Sequence, residues 1–307
     1  MAISSVKVMI DGSWHTLALN SSTGKYEKTI TAPNKTSYNI NVGHYYPLTV
    51  EALNTAGTKI TVNDSSPSVG NDLKLIVKER VKPTINITSP GEGAYVINSR
   101  QPIVFQVRDE PNGSGVNIST LTLKIDNGAV INNNSPGIVC TEVSNGYDVI
   151  YTPPAALIDG LHTININVSD FDSNTAIQAV RKYTVDTVPP ILNVTNPANN
   201  FIINNANMVI NGTTNDATSS PVTVAIKLNN IDQGPVVING GNFSKMLTLK
   251  EGSNNIIITS TDAAGRTTTV TITGVLDTSV PVISSISVTP NPVDSGATMV
   301  IAIGVSG

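Results

Sequence analysis

Along residues 256–261, Ile256, Ile258 and Ser260 alternate with Ile257, Thr259 and Thr261, and apolar residues alternate with polar ones again along residues 268–272. A period of two is typical of a strand that buries one face and exposes the other. Between the two runs lies Asp-Ala-Ala-Gly at residues 262–265, where Gly265 can adopt a positive φ without steric penalty. This stretch therefore predicts a hairpin, which we interpret as the last hairpin of a β-sandwich domain.

The same pattern occurs at two earlier places in the chain. Residues 160–170 match residues 252–262 position for position, with Gly first, apolar residues four and six positions later and Asp ten positions later. Residues 48–57 form a third copy, in which Asn54 and Gly57 keep the spacing of the Asp and Gly in the last copy. Each copy precedes a second predicted strand and a Pro-bearing junction. The chain therefore repeats a unit of roughly 90 to 100 residues, the size of an immunoglobulin-like domain.

These landmarks divide the chain into three domains, at residues 1–79, 80–187 and 188–279, and an extension at residues 280–307. No segment has sustained helical periodicity, and the abundant Asn, Ser and Thr favour strands and turns. The predicted fold class is all-β, with tandem immunoglobulin-like β-sandwiches in an elongated array and a C-terminal β-hairpin extension. Because a strand of about nine residues spans roughly 30 Å, three sandwiches end to end should reach on the order of 100 Å. We expect the second and third domains to share one topology.

Four stretches of the third domain and one single residue carry a resemblance to a known family: residues 190–197, 209–213, 249–254 and 262–265, and Phe243. Together they resemble a bacterial Ig-like repeat, a module also found beside glycoside hydrolases and in surface and phage proteins. The second domain is a looser copy and the first is looser again, so the resemblance covers most of the chain. It implies the Ig-like fold but no single function, because this module serves as a spacer in many settings.

Composition and charge argue against several classes of function. Charged residues make up 13% of the chain, the net charge is -4, and Lys and Arg are scattered singly. We therefore expect no nucleic-acid partner. Aromatic residues make up only 4%, which argues against a platform for stacking bases and, more mildly, against one for sugars. No apolar run approaches the roughly 18 residues needed to cross a bilayer, so we expect no membrane insertion.

The sequence offers little for catalysis. It contains three histidines, His15, His44 and His162, and a single cysteine, Cys140. None belongs to a zinc motif, and the chain has no Gly-rich phosphate loop or G-x-S-x-G elbow. We therefore predict no enzymatic activity, no cofactor and no metal ion. We expect Cys140 to be a small buried apolar side chain rather than a reactive thiol, and Trp14 to be a core or half-buried anchor rather than a ligand platform.

One acidic loop leaves two alternatives open. Asp170, Asp172 and Asn174 alternate along the loop after the repeat strand of the second domain, and oxygen-bearing side chains in such a pattern hold calcium in other proteins. The candidates for additional ligands are Asp109, Glu110 and Asp186. The alternative is an Asx-rich hairpin turn at the usual turn position of the repeat. We favour the turn.

Residues 280–307 do not fill a domain. They predict two strands around a loop rich in Pro, Asp and Gly, with apolar side chains alternating onto one face. Two strands alone are marginal in water and leave unpaired edges. We therefore predict that this face docks onto a neighbouring subunit or another particle protein, by β-augmentation or hydrophobic packing. The alternative is that it folds back onto the third domain. The predicted interface residues are Ile286, Val288, Met299, Ile301, Ile303 and Val305.

Tandem Ig-like repeats, low charge, a lone cysteine and an N-terminus without signal-peptide features favour one functional hypothesis. It is a non-enzymatic structural or adhesive component of a tailed bacteriophage or phage-tail-like particle, in its tail, baseplate or fibre. The expected location is the virion or particle, assembled in the host cytoplasm. Expected partners are other particle proteins, copies of this chain, and a host cell-surface receptor or glycan. The alternatives are a secreted or wall-attached bacterial adhesin or stalk, with its leader missing here, and an accessory region of a polysaccharide-degrading enzyme.

Overall fold

The structure is a computed structural model that describes residues 2–307. Within this range every regular element is a strand, apart from one short 3-10 helix at Gly70–Leu73, which confirms the all-β class. No helix in this range is long and apolar enough to cross a membrane. The chain divides into two compact units, one of Met1–Ala94 with Ser99–Thr184 and one of Tyr95–Asn98 with Val185–Gly307. The division into three domains and an extension stays a prediction.

The first part of the chain forms a five-stranded antiparallel sheet, in the order β3-β2-β1-β5-β6, and a small sheet of β4 and β7. Its strands are β1 (Ile3–Ile10), β2 (Ser13–Asn20), β3 (Lys25–Glu27), β4 (Tyr46–Pro47), β5 (Thr49–Asn54), β6 (Lys59–Asn63) and β7 (Lys74–Leu75). Val8, Tyr46 and Leu73 are its buried apolar residues. This part has a smaller core than the two that follow.

The second part forms two sheets of four strands, in the orders β12-β13-β10-β8 and β11-β14-β15-β9. Its strands are β8 (Thr84–Ser89), β9 (Ala94–Val96), β10 (Ile103–Arg108), β11 (Val116–Ile125), β12 (Ile138–Val143), β13 (Gly146–Tyr151), β14 (Gly160–Asp170) and β15 (Ala179–Val185). Buried and half-buried residues alternate along β10 and β14, as the period of a strand requires. Phe105, predicted from the sequence as a central side chain, is fully buried.

The third part forms sheets in the orders β16-β18-β22-β21 and β17-β24-β23-β19-β20. Its strands are β16 (Ile191–Asn196), β17 (Phe201–Ile203), β18 (Asn207–Asn215), β19 (Thr223–Leu228), β20 (Ile231–Asp232), β21 (Ile238–Asn239), β22 (Asn242–Thr248), β23 (Gly252–Thr261) and β24 (Thr267–Leu276). Ile256 and Ile258 of β23 lie in one apolar core with Phe243 and Leu247 of the facing sheet.

The second and third sandwiches share one topology. Counted in chain order, with the short β20 left out, the fifth, sixth, third and first strands form one sheet of each sandwich, and the fourth, seventh, eighth and second form the other. Strands β14 and β23, which carry the repeated sequence pattern, are the seventh strand in each. The expected superposition of residues 160–170 on residues 252–262 is therefore confirmed by strand order.

A separate two-stranded antiparallel sheet follows the third sandwich. It consists of β25 (Val282–Thr289) and β26 (Val300–Ser306). Its register places Ile286 opposite Ile303, and Val288 opposite Ile301. Directly opposed residues of an antiparallel pair lie on one face, so the predicted alternation produces an apolar face here.

Candidate functional site

Three carboxylates converge at each of two places in the structure. In each group, one carboxylate oxygen from every residue lies within 4.8 Å of the others. The first cluster consists of Glu79, Asp109 and Asp170. The second cluster consists of Asp186, Asp216 and Asp262.

The repeated hairpin positions one member of each cluster. Asp170 ends β14 and accepts a 2.8 Å hydrogen bond through Oδ1 from the backbone N–H of Asn174. Asp262 follows β23 and accepts an equal bond from the backbone N–H of Arg266. In the third copy of the hairpin, Asn54 makes the same bond, also of 2.8 Å, through its amide oxygen. The turn thus needs one side-chain oxygen, and only the last two copies supply a carboxylate.

The other members also occupy matching positions in the two sandwiches. Asp109 directly follows β10 and Asp216 directly follows β18, and these are the third strands of their sandwiches. Glu79 stands five residues before β8 and Asp186 five residues before β16, the first strands. Glu79 and Asp216 were not among the candidates predicted from the sequence. A comparison of the two repeats would have indicated them, because both repeats have an Asp at the end of the third strand and an acidic residue before the first strand.

The first cluster is held by backbone and hydroxyl donors. Glu79 accepts hydrogen bonds through Oε1 from the backbone N–H and the hydroxyl of Ser114, at 2.7 and 2.8 Å. Asp109 accepts one through Oδ2 from the N–H of Gly115, at 2.7 Å. The remaining oxygens, Oε2 of Glu79 and Oδ1 of Asp109, are buried without any hydrogen-bond partner. Asp109 is only 6% exposed and Asp170 only 1%.

The second cluster is organised around the fully buried Ser219. The Ser219 hydroxyl donates to Oδ2 of Asp186, and its backbone N–H donates to Oδ1 of Asp216 at 2.7 Å. Its carbonyl accepts from the N–H of Ala263, next to Asp262, at 3.2 Å. Oδ2 of Asp262 is buried with no partner, although its Oδ1 holds the turn. All three carboxylates of this cluster are more than nine-tenths buried, with exposures of 0%, 8% and 6%.

The six carboxylates take part in none of the ion pairs found in the described part of the chain. The ion pairs found among residues 2–307 involve other acidic residues. Burial, together with a hydrogen bond to Glu79, raises the pKa of the neighbouring Glu110 to about 8. Burial also raises the pKa of Asp170. Burial acts in the same direction on Glu79, but hydrogen bonds from Glu110, Ser114 and the backbone outweigh it and lower the pKa of Glu79. Burial at the first cluster therefore disfavours the charged forms of Glu110 and Asp170.

The loop after β14 also joins the first part of the chain to the second sandwich within their common unit. Oδ2 of Asp172 accepts hydrogen bonds from the Thr36 hydroxyl at 2.5 Å and from the Glu79 N–H at 3.1 Å. The rings of Tyr38 and Phe171 stack with their centroids 4.5 Å apart. Asp172, proposed from the sequence as a calcium ligand, is therefore outside the first cluster and stabilises this junction instead.

The other residues considered as calcium ligands together with Asp170 do not all lie in one cluster. Asn174 completes the turn by donating to both oxygens of Asp170, through its backbone N–H and its amide. The favoured Asx turn is therefore present. Asp109 lies with Asp170 in the first cluster, whereas Asp186 belongs to the second cluster.

The predicted interface residues are solvent-exposed. Ile286 is 64% exposed and Ile303, opposite it, is 55% exposed. Met299, Ile301 and Val305 are exposed to a similar extent and Val288 is half-buried. Met299 precedes β26 rather than lying within it. The hairpin thus carries an apolar face that its own two strands leave open to solvent.

Among the other residues singled out from the sequence, His162 lies on β14, Cys140 on β12 and Trp14 on β2. His162 contacts Asp126 through Nδ1 at 2.7 Å and the carbonyl of Ile158 through Nε2 at 2.9 Å, so both ring nitrogens are engaged within the fold. Cys140 is half-buried, where full burial was expected, and burial raises the pKa of its thiol. Trp14 lies on β2 with 44% of its surface exposed, and it is therefore not a core side chain.

One protein-family model matches part of the chain. The protein-family model for glucodextranase, domain B, matches residues 190–278. This match covers the third sandwich and not the rest of the chain. No curated protein matches the chain significantly.

Solved structures with similar architecture are tandem immunoglobulin-like and fibronectin III-like proteins. Fibronectin(III)-like modules of Clostridium thermocellum CbhA share 15% identity and a TM-score of 0.37, covering 63% of this chain and 94% of theirs. An I-band fragment of titin shares 11% identity and a TM-score of 0.44, covering 89% and 87%. The N-terminal eight Ig domains of Down Syndrome Cell Adhesion Molecule share 13% identity and a TM-score of 0.41, covering 90% and 33%. The protein is an all-β array of Ig-like sandwiches in tandem.

Proposed function

We propose that the chain is a non-catalytic structural and adhesive component of a tailed bacteriophage or phage-tail-like particle, associated with its tail, baseplate or fibre. The observation that supports this most is the exposed apolar face of the hairpin β25–β26, which follows the Ig-like sandwiches in the chain. Sandwiches with their own cores are suited to hold a binding surface in place. The hairpin is suited to attach the array to a larger assembly.

The free strand edges and the apolar face of the hairpin indicate what kind of partner would bind it. Each of its strands pairs on one side only, which leaves backbone N–H and C=O groups along both outer edges. The pairs Ile286–Ile303 and Val288–Ile301 line one face. A partner that adds a strand to an edge, or covers this face with apolar side chains, satisfies both features. We propose that this partner is another structural protein of the particle or a second copy of the chain, and that the sandwiches present a surface to a host receptor or glycan.

A second candidate function is supported by the family match. Because residues 190–278 match glucodextranase domain B, the chain is also a candidate accessory region of a polysaccharide-degrading enzyme. The array would then hold a catalytic domain near its substrate, and the location would be extracellular. A bacterial adhesin or stalk is the remaining alternative, which would use the same domains at the cell surface.

Fractionation of cultures that express the native gene separates these settings. Antibodies against the chain would be used on sedimented particles, washed cell envelopes and the soluble culture medium. The particle hypothesis predicts that the chain sediments with particles through a density gradient and remains with them after high-salt washing. Recovery in envelopes alone would favour the adhesin. Recovery in the medium together with a glycoside hydrolase would favour the accessory region.

A further inference from the structure

We propose that the first cluster and the second cluster each bind one calcium ion. This inference is independent of the biological setting proposed above. Each cluster brings three buried or half-buried carboxylates together, and none of the ion pairs found among the described residues involves them. Burying an ionised carboxylate is strongly unfavourable unless it is paired or coordinates a metal. A divalent cation at the centre of each group would remove the repulsion among the three charges.

Unpartnered oxygens in both clusters point to a missing ligand. Asp109 is 6% exposed, and its Oδ1 has no hydrogen-bond partner. Asp262 is also 6% exposed, and its Oδ2 has none. In both residues the other oxygen is held by a backbone N–H at 2.7 or 2.8 Å, so the carboxylate orientation is fixed. Buried polar groups in folded proteins are nearly always satisfied, and a cation would satisfy these oxygens.

The presence of an equivalent cluster in both sandwiches also supports calcium binding. Each uses the Asp of the repeated hairpin, an Asp at the end of the third strand and an acid before the first strand. A carboxylate trio formed by accident in one sandwich would not be expected at the same three topological positions in the next. The first part of the chain has the hairpin but Asn54 in place of Asp, and it contributes no carboxylate cluster among its described residues.

The ligand chemistry selects calcium among the common cations. All the candidate donors are oxygens, which excludes the nitrogen and sulfur ligands that zinc prefers. Calcium takes six to eight oxygen ligands and tolerates several carboxylates, whereas magnesium retains most of its water and uses one or two. A cavity of about 300 Å³ beside the first cluster, lined by Asp109, Glu110, Tyr38 and Phe171 among others, offers an entry path and room for water ligands.

A bound ion would tie each linker to the sandwich that follows it. Glu79 and Asp186 lie in the segments that lead into β8 and β16, while their cluster partners lie at the ends of strands in those sandwiches. Calcium would therefore connect the entering chain to the sandwich through bonds that do not depend on side-chain packing. The expected consequence is that the array is more resistant to unfolding when calcium is present.

The test is isothermal titration calorimetry, in which calcium chloride is added to the 307-residue protein after divalent ions have been removed. The wild type should bind two ions per chain. Asp262→Asn and Asp170→Asn should each bind one, and the double variant none. Asn54 shows that an amide supports this turn, so both variants should fold, and circular dichroism in chelator checks this. Asp72→Asn, an exposed position outside both clusters, is the matched control and should still bind two ions.

Three results would overturn the proposal. The first is no calcium binding by the folded wild type. The second is binding by both Asn variants with unchanged stoichiometry and affinity, which would place the ions elsewhere. The third is magnesium chloride binding as tightly as calcium chloride in a parallel titration, which would contradict the assignment to calcium.

Discussion

Asp170 and Asp262 hold the same turn in two successive sandwiches, each through a 2.8 Å hydrogen bond from the backbone N–H four residues later. Asn54 makes the equivalent bond in the first part of the chain. The comparison separates two roles of the aspartates. The hydrogen bond that forms the turn needs only a side-chain oxygen, and the side chain that supplies it can be neutral or charged. The convergence with other carboxylates occurs only where the residue is Asp. Replacement of Asp by Asn should therefore keep the turn and remove the charge.

The stability of Asp262→Asn should depend on calcium. In chelator, we expect its free energy of unfolding to equal or exceed the wild-type value, because one of three crowded charges is removed. In calcium at about 100 times the dissociation constant, each occupied site adds about 2.7 kcal/mol to the wild type, and the variant should lack one such contribution. Thermal or urea unfolding under both conditions measures this. A variant equally destabilised in chelator and in calcium would show that Asp262 has a structural role only.

A glycine at position 173, in the turn of the second sandwich, should stabilise the protein. Ser173 has a φ of 73°, while Gly265 and Gly57 occupy the equivalent position in the other copies with φ values of 86° and 83°. Residues other than glycine are strained in this region by about 1 kcal/mol or more. We expect Ser173→Gly to raise the free energy of unfolding by about 0.5 kcal/mol, since greater freedom of the unfolded chain offsets part of the gain. Gly265→Ala should lower it by about 1 kcal/mol. Urea unfolding tests both, and a loss of stability in Ser173→Gly would contradict the argument.

Neighbouring isoleucines of β23 should differ in their contribution to stability. Ile258 is fully buried in the core of the third sandwich, whereas Ile257 faces the opposite side and is half-buried. Ile258→Ala should lower the free energy of unfolding by about 2–5 kcal/mol, because it removes buried methylene groups and leaves a cavity. Ile257→Ala should have a clearly smaller effect. Similar losses in the two variants, measured by chemical denaturation, would show that the strand does not have the inward and outward faces described here.

The hairpin should be required for association but not for folding of the sandwiches. Ile303 is exposed, so Ile303→Asp should leave the main unfolding transition within about 0.5 kcal/mol of the wild type. It should abolish incorporation into particles, or self-association if the partner is a second copy, because a charge would be buried in an apolar interface. Ile202→Asp, on the exposed part of β17 with 76% of Ile202 accessible, is the control. Analytical ultracentrifugation and particle fractionation provide the measurement, and normal assembly of Ile303→Asp would exclude the hairpin as the docking element.

The strands were predictable because their signal is local. Alternation along β14 and β23, with Gly before and Asp after the apolar positions, specifies a strand and its turn within eleven residues. Matching strand orders then follow from matching sequences. The apolar face of the hairpin was predictable for the same reason, although Met299 lies outside β26.

The carboxylate clusters were predicted only in part, because the sandwich topology brings their members together: Asp109, Asp170 and Asp186 were candidates, but Glu79 and Asp216 were not. Glu79, Asp109 and Asp170 come from a linker, the end of one sheet and a hairpin of the other. The local pattern offered Asp172 as a candidate ligand beside Asp170, as the less favoured alternative to a turn, but Asp172 accepts a hydrogen bond from Thr36 instead. Comparing strand ends between the two repeats would have been the effective way to find these residues.

A crystal structure grown in calcium, with diffraction data collected at a long wavelength, is the decisive test of calcium binding by the two clusters. Calcium scatters anomalously under these conditions, so its position is identified independently of the refined coordinates. We predict two anomalous peaks, one in each cluster, at about 2.3–2.6 Å from carboxylate oxygens of all three residues. The oxygens that have no hydrogen-bond partner, Oδ1 of Asp109 and Oδ2 of Asp262, should be among the ligands. Clusters that contain only water, in a crystal where calcium is present in excess, would contradict the account.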